Sequence, residues 1–174
     1  MHYKYCPECG QKLIDKEAGD DGLVPYCTSC ETYWFDSFAS CIIVLVANEQ
    51  DEIALLTQPH LSTIHKTFVS GYITPGENAE ECARREVKEE LGIELERLDY
   101  AGTYWFEKRG QLMHGFIGHA KKKEFSLSCE VQNAEWFSSI EARNYFFPER
   151  PGNTMHALYR IYLKQKEDYH ENHN

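Results

Sequence analysis

No run of apolar residues in this 174-residue chain approaches the roughly 20 needed to cross a bilayer as a helix. The longest, CIIVLVA at 41–47, has the length and β-branching of a buried strand. The first ten residues, MHYKYCPECG, hold no apolar signal segment, which leaves the cytoplasm as the expected setting and gives no membrane partner. Basic charge is also short. Lys and Arg number 18 against 28 Asp and Glu, for a formal net charge of −10, which argues against a broad phosphate-tracking surface for nucleic acid. A small polyanion is compatible with that balance only if a metal ion masks its charge from the carboxylates. No internal repeat or low-complexity linker breaks the chain. With 42% hydrophobic residues the composition is globular, and the length suffices for one domain with a proper core and a small appended module.

The module is marked by cysteine. Cys6 and Cys9 in CPEC and Cys27 and Cys30 in CTSC form two C-x-x-C pairs 17 residues apart, inside the range of a four-cysteine zinc ribbon. Each pair is a tight turn able to present two thiolates to one tetrahedral Zn²⁺. So short a segment has little core, and metal binding would supply much of its folding energy. Two unrelated turns or a redox pair are the other readings. Cys41, Cys82 and Cys129 lie in apolar settings and read as small core residues. The expected division is a zinc ribbon over 1–36 and a second domain over 37–174, with residues 31–40 as a connection.

The second part reads as strands alternating with helices. CIIVLVAN and EIALLTQP flank EQD as a hairpin, a polar loop with His60 and His65 follows, and TFVSGYI is the next strand. Asn78 with Glu81 resembles a capping box, and Gly92 suits the position just past a helix. Along that helix Ala83, Val87 and Leu91 form an apolar stripe, with Glu86, Glu89 and Glu90 beside it. Strands follow at YAGTYWFE, LMHGFIGHA and AEWF, then a helix from about Asn153 to Lys166 and a frayed polar tail. This order implies an α/β fold with a mixed sheet packed between helices.

Like charges at spacings of three and four repel on a helix face, so the Glu86, Glu89 and Glu90 cluster needs a reason. Hard divalent cations supply one, because they take clustered carboxylate oxygens as ligands and can activate water against a phosphate. The surrounding stretch, GYITPGENAEECARREVKEELGI, fits G-x5-E-x7-R-E-U-x-E-E-x-G-U, with U aliphatic, at every fixed position: Gly71, Glu77, Arg85, Glu86, Val87, Glu89, Glu90, Gly92 and Ile93. That pattern is the Nudix box, and the chain resembles a Nudix hydrolase over roughly residues 39–165. The resemblance implies a Nudix α/β/α sandwich. It further implies Mg²⁺ or Mn²⁺ held by Glu86, Glu89 and Glu90 with the Ser70 carbonyl, one of the glutamates serving as general base. Arg85 would pair with Glu77 to orient the catalytic carboxylates. Gly71 and Gly92 read as suppliers of backbone freedom.

A four-cysteine module before such a domain, with CIIVLVANEQDEIALLTQP, QLMHGFIGHA and CEVQNAEWF, resembles the NADH pyrophosphatase branch. The last match places Glu130 where that branch has a further metal-binding glutamate. The branch's Ser-Gln-Pro-Trp-Pro-Phe-Pro run is replaced by TYWFEKRGQLM, which keeps Trp105 and Phe106 without the prolines, and its Tyr-Pro-Arg tripeptide is replaced by WFDS. Reaction class survives these departures; NADH specificity does not.

Trp105 and Phe106 are therefore the candidate base-stacking residues, ahead of Tyr33, Trp34, Phe35 and Tyr104. His60 and His65 are weaker substrate contacts, and His114 and His119, five apart on a strand, face opposite ways. The expected activity is metal-dependent hydrolysis of the pyrophosphate bond in a nucleoside diphosphate linked to another moiety (NADH or NAD, ADP-ribose or FAD), releasing two monophosphates. The partner is then a small-molecule nucleotide, and the resemblance suggests a homodimer. A nucleotide-sensing or nucleic-acid-binding regulatory protein on the same fold is the competing reading, and intact box carboxylates count against it.

Overall fold

A computed structural model describes residues 3–150 and 153–171. The chain divides into two compact units, one ending at Ala39 and the other beginning at Ser40.

In the first unit β1 (Ile14–Glu17), β2 (Leu23–Cys27) and β3 (Thr32–Tyr33) form a three-stranded antiparallel sheet in that order. The expected connection over 31–40 is thus partly strand: Thr32 and Tyr33 pair with Cys27 and Tyr26. Cys6, Leu13 and Cys27 make the buried cluster, with Tyr3, Cys30 and Trp34 packed against it, and Val24 is also buried. That is too little apolar surface to stabilise a fold without a covalent or metal staple.

The second unit holds β4 (Ala39–Asn48), β5 (Glu52–Thr57), β6 (Val69–Tyr72), α1 (Ala79–Leu91), β7 (Arg97–Phe106), β8 (Gln111–Ala120), β9 (Asn133–Ser138), a one-turn α2 (Ser139–Ala142) and α3 (Thr154–Glu171). Its mixed sheet runs β7-β8-β4-β5-β9, with β6 also paired to β4. In β4 every residue from Cys41 to Asn48 is buried, which marks a strand covered on both faces. Ile42, Val44 and Val46 face Ala83, Val87 and Leu91 of α1. Ile43, Leu45 and Ala47 face Met155, Leu158, Tyr159 and Tyr162 of α3. Alternation along one strand thereby builds both layers of the sandwich.

Helix α3 continues to Glu171, five residues past the expected end at Lys166. Polarity in KEDYHE reads as disorder, yet its residues include good helix formers, and Lys166 is anchored on Asp51 and Ser139. The final three residues of the expected tail lie outside the described part. Cys41 and Cys82 are buried as expected, but Cys129 is exposed in a turn. Among the described residues no helix is long and apolar enough to cross a membrane.

Candidate active site

Helix α1 begins as its sequence dictates. The Asn78 side chain accepts from the Glu81 amide, the Glu81 carboxylate accepts from the Asn78 amide, and Gly92 closes the helix in the left-handed conformation at φ 67°. Its apolar stripe seats it on the sheet, and this fixes the rotation of the carboxylates. Glu90 faces inward and is only 4% exposed, Glu86 is half-buried and Glu89 is exposed.

Gly71 has a role the sequence did not suggest. It stands within β6 at an ordinary backbone angle, and a Cβ there would lie 2.0 Å from Glu86 Oε1. The glycine provides space for a carboxylate rather than freedom for the backbone. Gly92 does supply the positive φ its place in the pattern implies.

Arg85 organises the outer part of the cluster. Its Nε and Nη2 donate to the two oxygens of Glu77 at 2.8 and 2.9 Å, a bidentate pair. Nη1 donates to Glu86 Oε1 at 2.8 Å and to Glu89 Oε2 at 2.9 Å. Glu77 also accepts from the amide and hydroxyl of Thr74 at 2.8 and 2.7 Å. With Arg85 the largest cause and Thr74 next, the Glu77 carboxyl is held down to about 2. Both its oxygens are committed, so Glu77 anchors the guanidinium.

Glu90 lies at the other extreme. Burial, with Glu86 and Glu130 adding negative potential, pushes it up to about 8 against the opposing Gln58 amide and Ser70 backbone. Burial also raises Glu86, with Arg85 opposing. Gln58 Nε2 donates to Glu90 Oε1 at 2.8 Å, while Oε2 is buried with no hydrogen-bond partner. A buried carboxylate oxygen without a donor is costly unless something positive meets it. Glu130 is exposed in the turn before β9, and its charge acts on both Glu86 and Glu90. Ser70 stands in β6 opposite Ile43, and it is its backbone N–H, not its carbonyl, that acts on Glu90.

The donor set is therefore hard oxygen, buried at Glu90 and exposed at Glu89 and Glu130, which suits a hard divalent cation. Arg85 Nη1 bridges Glu86 and Glu89, while Glu90 is held separately by Gln58. Among the described residues the group whose ligand atoms all lie within 4.8 Å of one another is Cys6, Cys9, Cys27 and Cys30. There Cys6 Sγ and Cys30 Sγ are 3.9 Å apart and Cys9 Sγ and Cys27 Sγ 3.5 Å. A tetrahedron with zinc–sulfur bonds of about 2.3 Å has edges of about 3.8 Å. Burial raises the Cys6 thiol, but hydrogen bonds from the Cys9 and Glu8 backbone outweigh it and bring the group down to about 7. The neighbouring Cys9 thiol, followed by burial, drives Cys30 up, so one thiol gives up its proton ahead of another.

Trp105 and Phe106 do not converge. Phe106 pairs with Gln111, whose amide reaches the Tyr72 hydroxyl at 2.7 Å, whereas Trp105 pairs with Leu112. Paired residues share a face and successive ones alternate. Phe106 is thus on the face of Tyr72, and Trp105 is on the α1 face, the side to which Gly71 turns. Trp105 is 46% exposed and its Nε1 donates to Glu107 at 2.6 Å. Of the weaker candidates, His60 is exposed and His65 packs on Phe147. His114 bonds Ser40, and His119 meets Arg97 and Asp99. Tyr33 packs on Tyr26 and Trp34 on Tyr3. Gln58 is the residue that sequence reasoning missed. Its one signal is an amide directly after the apolar strand, in LLTQP.

Comparison with known proteins gives a consistent result. The model of the NUDIX domain family matches residues 38–158. The NAD-capped RNA hydrolase NudC of Pseudomonas fluorescens Pf-5 is 30% identical over 162 residues, 92% of this chain and 55% of the relative. The protein of that name from Vibrio vulnificus is 32% identical over 138 residues, 78% of this chain and 51% of the relative. The chain spans about half the length of these curated relatives. A NUDIX hydrolase from Nitrosomonas europaea superposes with a TM-score of 0.67 at 19% identity, covering 83% of each chain. A Caenorhabditis elegans Ap4A hydrolase complex gives 0.59 at 23% identity, covering 74% of this chain and 98% of the other. Identities this low show the shared fold.

Proposed function

The chain belongs to the NUDIX domain family, and on that premise we propose that it hydrolyses the pyrophosphate bond of a nucleoside diphosphate joined to a second moiety, releasing two monophosphates. The substrate class is NAD or NADH, ADP-ribose or FAD; the curated relatives' name, which specifies NAD-capped RNA, supports the nicotinamide dinucleotides within it. One observation carries the reading: the buried, unpartnered Oε2 of Glu90, flanked by the charges of Glu86 and Glu130. Glu86, Glu89, Glu90, Glu130 and the Ser70 carbonyl would hold Mg²⁺ or Mn²⁺. Such ions would neutralise phosphate oxygens and lower the pKa of an attacking water. Arg85, locked on Glu77, orients Glu86 and Glu89 and limits their mutual repulsion. One of these glutamates would take the proton of the attacking water. Trp105, exposed on the α1 face, would stack on a base.

The remaining assignments form part of the same proposal. Residues 1–36 are a zinc ribbon and 37–174 the catalytic domain, Zn²⁺ is structural, the setting is cytoplasmic, and the protein acts as a homodimer. Thiolates that must stay reduced to bind zinc fit a reducing compartment.

The test is product analysis after incubation with Mg²⁺ or Mn²⁺ and NADH, NAD, ADP-ribose, FAD or a nucleoside triphosphate, with Glu90→Gln as control. Two monophosphates from one dinucleotide, absent in the control, are expected. Silence across the panel would instead favour a nucleotide sensor. Turnover by Glu90→Gln at the wild-type rate would overturn the metal assignment.

A further inference from the structure

We propose that Gln58 is a positioning residue that orients Glu90 for its divalent cation; the proposal rests on the reading of Glu90 as a metal ligand. Gln58 lies one residue beyond β5 and is 4% exposed, although three rotatable bonds and a polar amide make glutamine costly to bury. Its place is fixed from both sides. The backbone carbonyl accepts from the Leu61 and Ser62 amides at 2.9 and 3.1 Å, and Pro59 follows in sequence. Its Nε2 then donates to Glu90 Oε1 at 2.8 Å. A carboxylate that binds a cation is ionised and only accepts, so the amide nitrogen is the end that must face it.

The consequence is asymmetric. Oε1 is tied to the end of β5, which fixes the torsion of the carboxylate and leaves the buried Oε2 as the atom able to meet a cation. A lysine or arginine at this position would tie Glu90 as well, but its positive charge would oppose the ion. A neutral amide orients the ligand without that repulsion. Glu77 shows the contrast, since Arg85 and Thr74 occupy both of its oxygens. Groups that orient a metal ligand typically contribute 10–100-fold in affinity.

The experiment measures Mn²⁺ binding by electron paramagnetic resonance on the 174-residue, zinc-loaded chain without substrate. It compares wild type, Gln58→Met, Glu90→Gln and the double variant, with circular dichroism to verify folding. Gln58→Met is expected to weaken Mn²⁺ about 10–100-fold. The metal concentration for half-maximal turnover should rise by the same factor, while KM for the nucleotide at saturating metal is unchanged. In the Glu90→Gln background the Gln58 change should cost nothing further, because the two act as one unit. Wild-type Mn²⁺ affinity in Gln58→Met, with Glu90→Gln weakened, would overturn this proposal alone. Wild-type affinity in Glu90→Gln would overturn the underlying reading. Gln58→Leu substitutes if Gln58→Met does not fold, and failure of both to fold while Glu90→Gln folds would assign Gln58 to the core and overturn the proposal.

Discussion

The cysteine unit and the carboxylate face of α1 present ligand atoms in opposite ways. In the cysteine unit four sulfurs lie within 4.8 Å of one another, and two of their residues, Cys6 and Cys27, belong to the buried core. On α1 the glutamates sit at the margin of a core already complete without them, with Ala83, Val87 and Leu91 fully buried. Two of the three, Glu86 and Glu89, are held by Arg85 and the third by Gln58. On the proposed reading, the difference would separate metal as a folding element from metal as a reagent. Removing the first should cost structure; removing the second should cost chemistry.

The sharpest way to break that contrast is to replace Cys6 and Cys9 with serine. Structural zinc is worth about 10–16 kcal/mol in small zinc-finger peptides, far more than so small a core supplies. Zinc content should fall from about one per chain to near zero. Hydrogen-exchange protection should vanish before Ala39 and persist from Ser40 onward. Zinc remaining in the double variant, or protection lost throughout, would erase the distinction.

Glu90→Gln tests the other half. Turnover should fall at least about 100-fold, the upper end for groups that merely orient a ligand. Stability should move the other way in protein free of Mg²⁺ and Mn²⁺. With a folded pKa of about 8 against an ordinary 4.5, the folded chain retains a proton that the unfolded chain has released. This contribution is fully present below pH 4.5 and is lost as pH rises through about 8. Urea denaturation at pH 5 and 8.5 should show that loss in the wild type and its absence in Glu90→Gln. A loss of stability on substitution would place Glu90 in the core rather than the site.

A smaller effect is expected at Gly71. The Cβ of Gly71→Ala would overlap Glu86 Oε1 and Cδ, at 2.0 and 2.1 Å, and the carboxylate must turn aside. A loss in kcat/KM of about 10–100-fold is expected, comparable to losing a group that supports a ligand. Unchanged kinetics would show that Glu86 need not occupy this position.

The smallest effect compares neighbours on β7. Trp105→Ala should raise KM about tenfold, within the 1–3 kcal/mol contributed by stacking on a base. Phe106→Ala, changed on the opposite face, should leave KM within about twofold, a difference of about 0.4 kcal/mol. Equal effects would contradict the split that strand alternation imposes.

Much of this was legible in the residues. The hairpin around Glu49–Asp51, the capping box at Asn78 and the helix stop at Gly92 are local events, set by turn and capping chemistry within a few positions. The end of α3 was not, because Lys166 draws its anchor from Asp51, 115 positions away. Cys129 was misread because an apolar residue type says nothing about which side of a turn it occupies. Trp105 and Phe106 were paired by adjacency, which in a strand separates side chains.

Spacing alone determined that Arg85, Glu86, Glu89 and Glu90 share a helix and that four cysteines come in two turns, because helical and turn geometry repeats over a few residues. Only the tertiary structure decided which carboxylate is buried, since that depends on how α1 sits against the sheet. It also decided that Gly71 makes room for Glu86 and that Gln58 meets Glu90 across 32 positions. Packing and dielectric are properties of the assembled layers, and no local pattern encodes them.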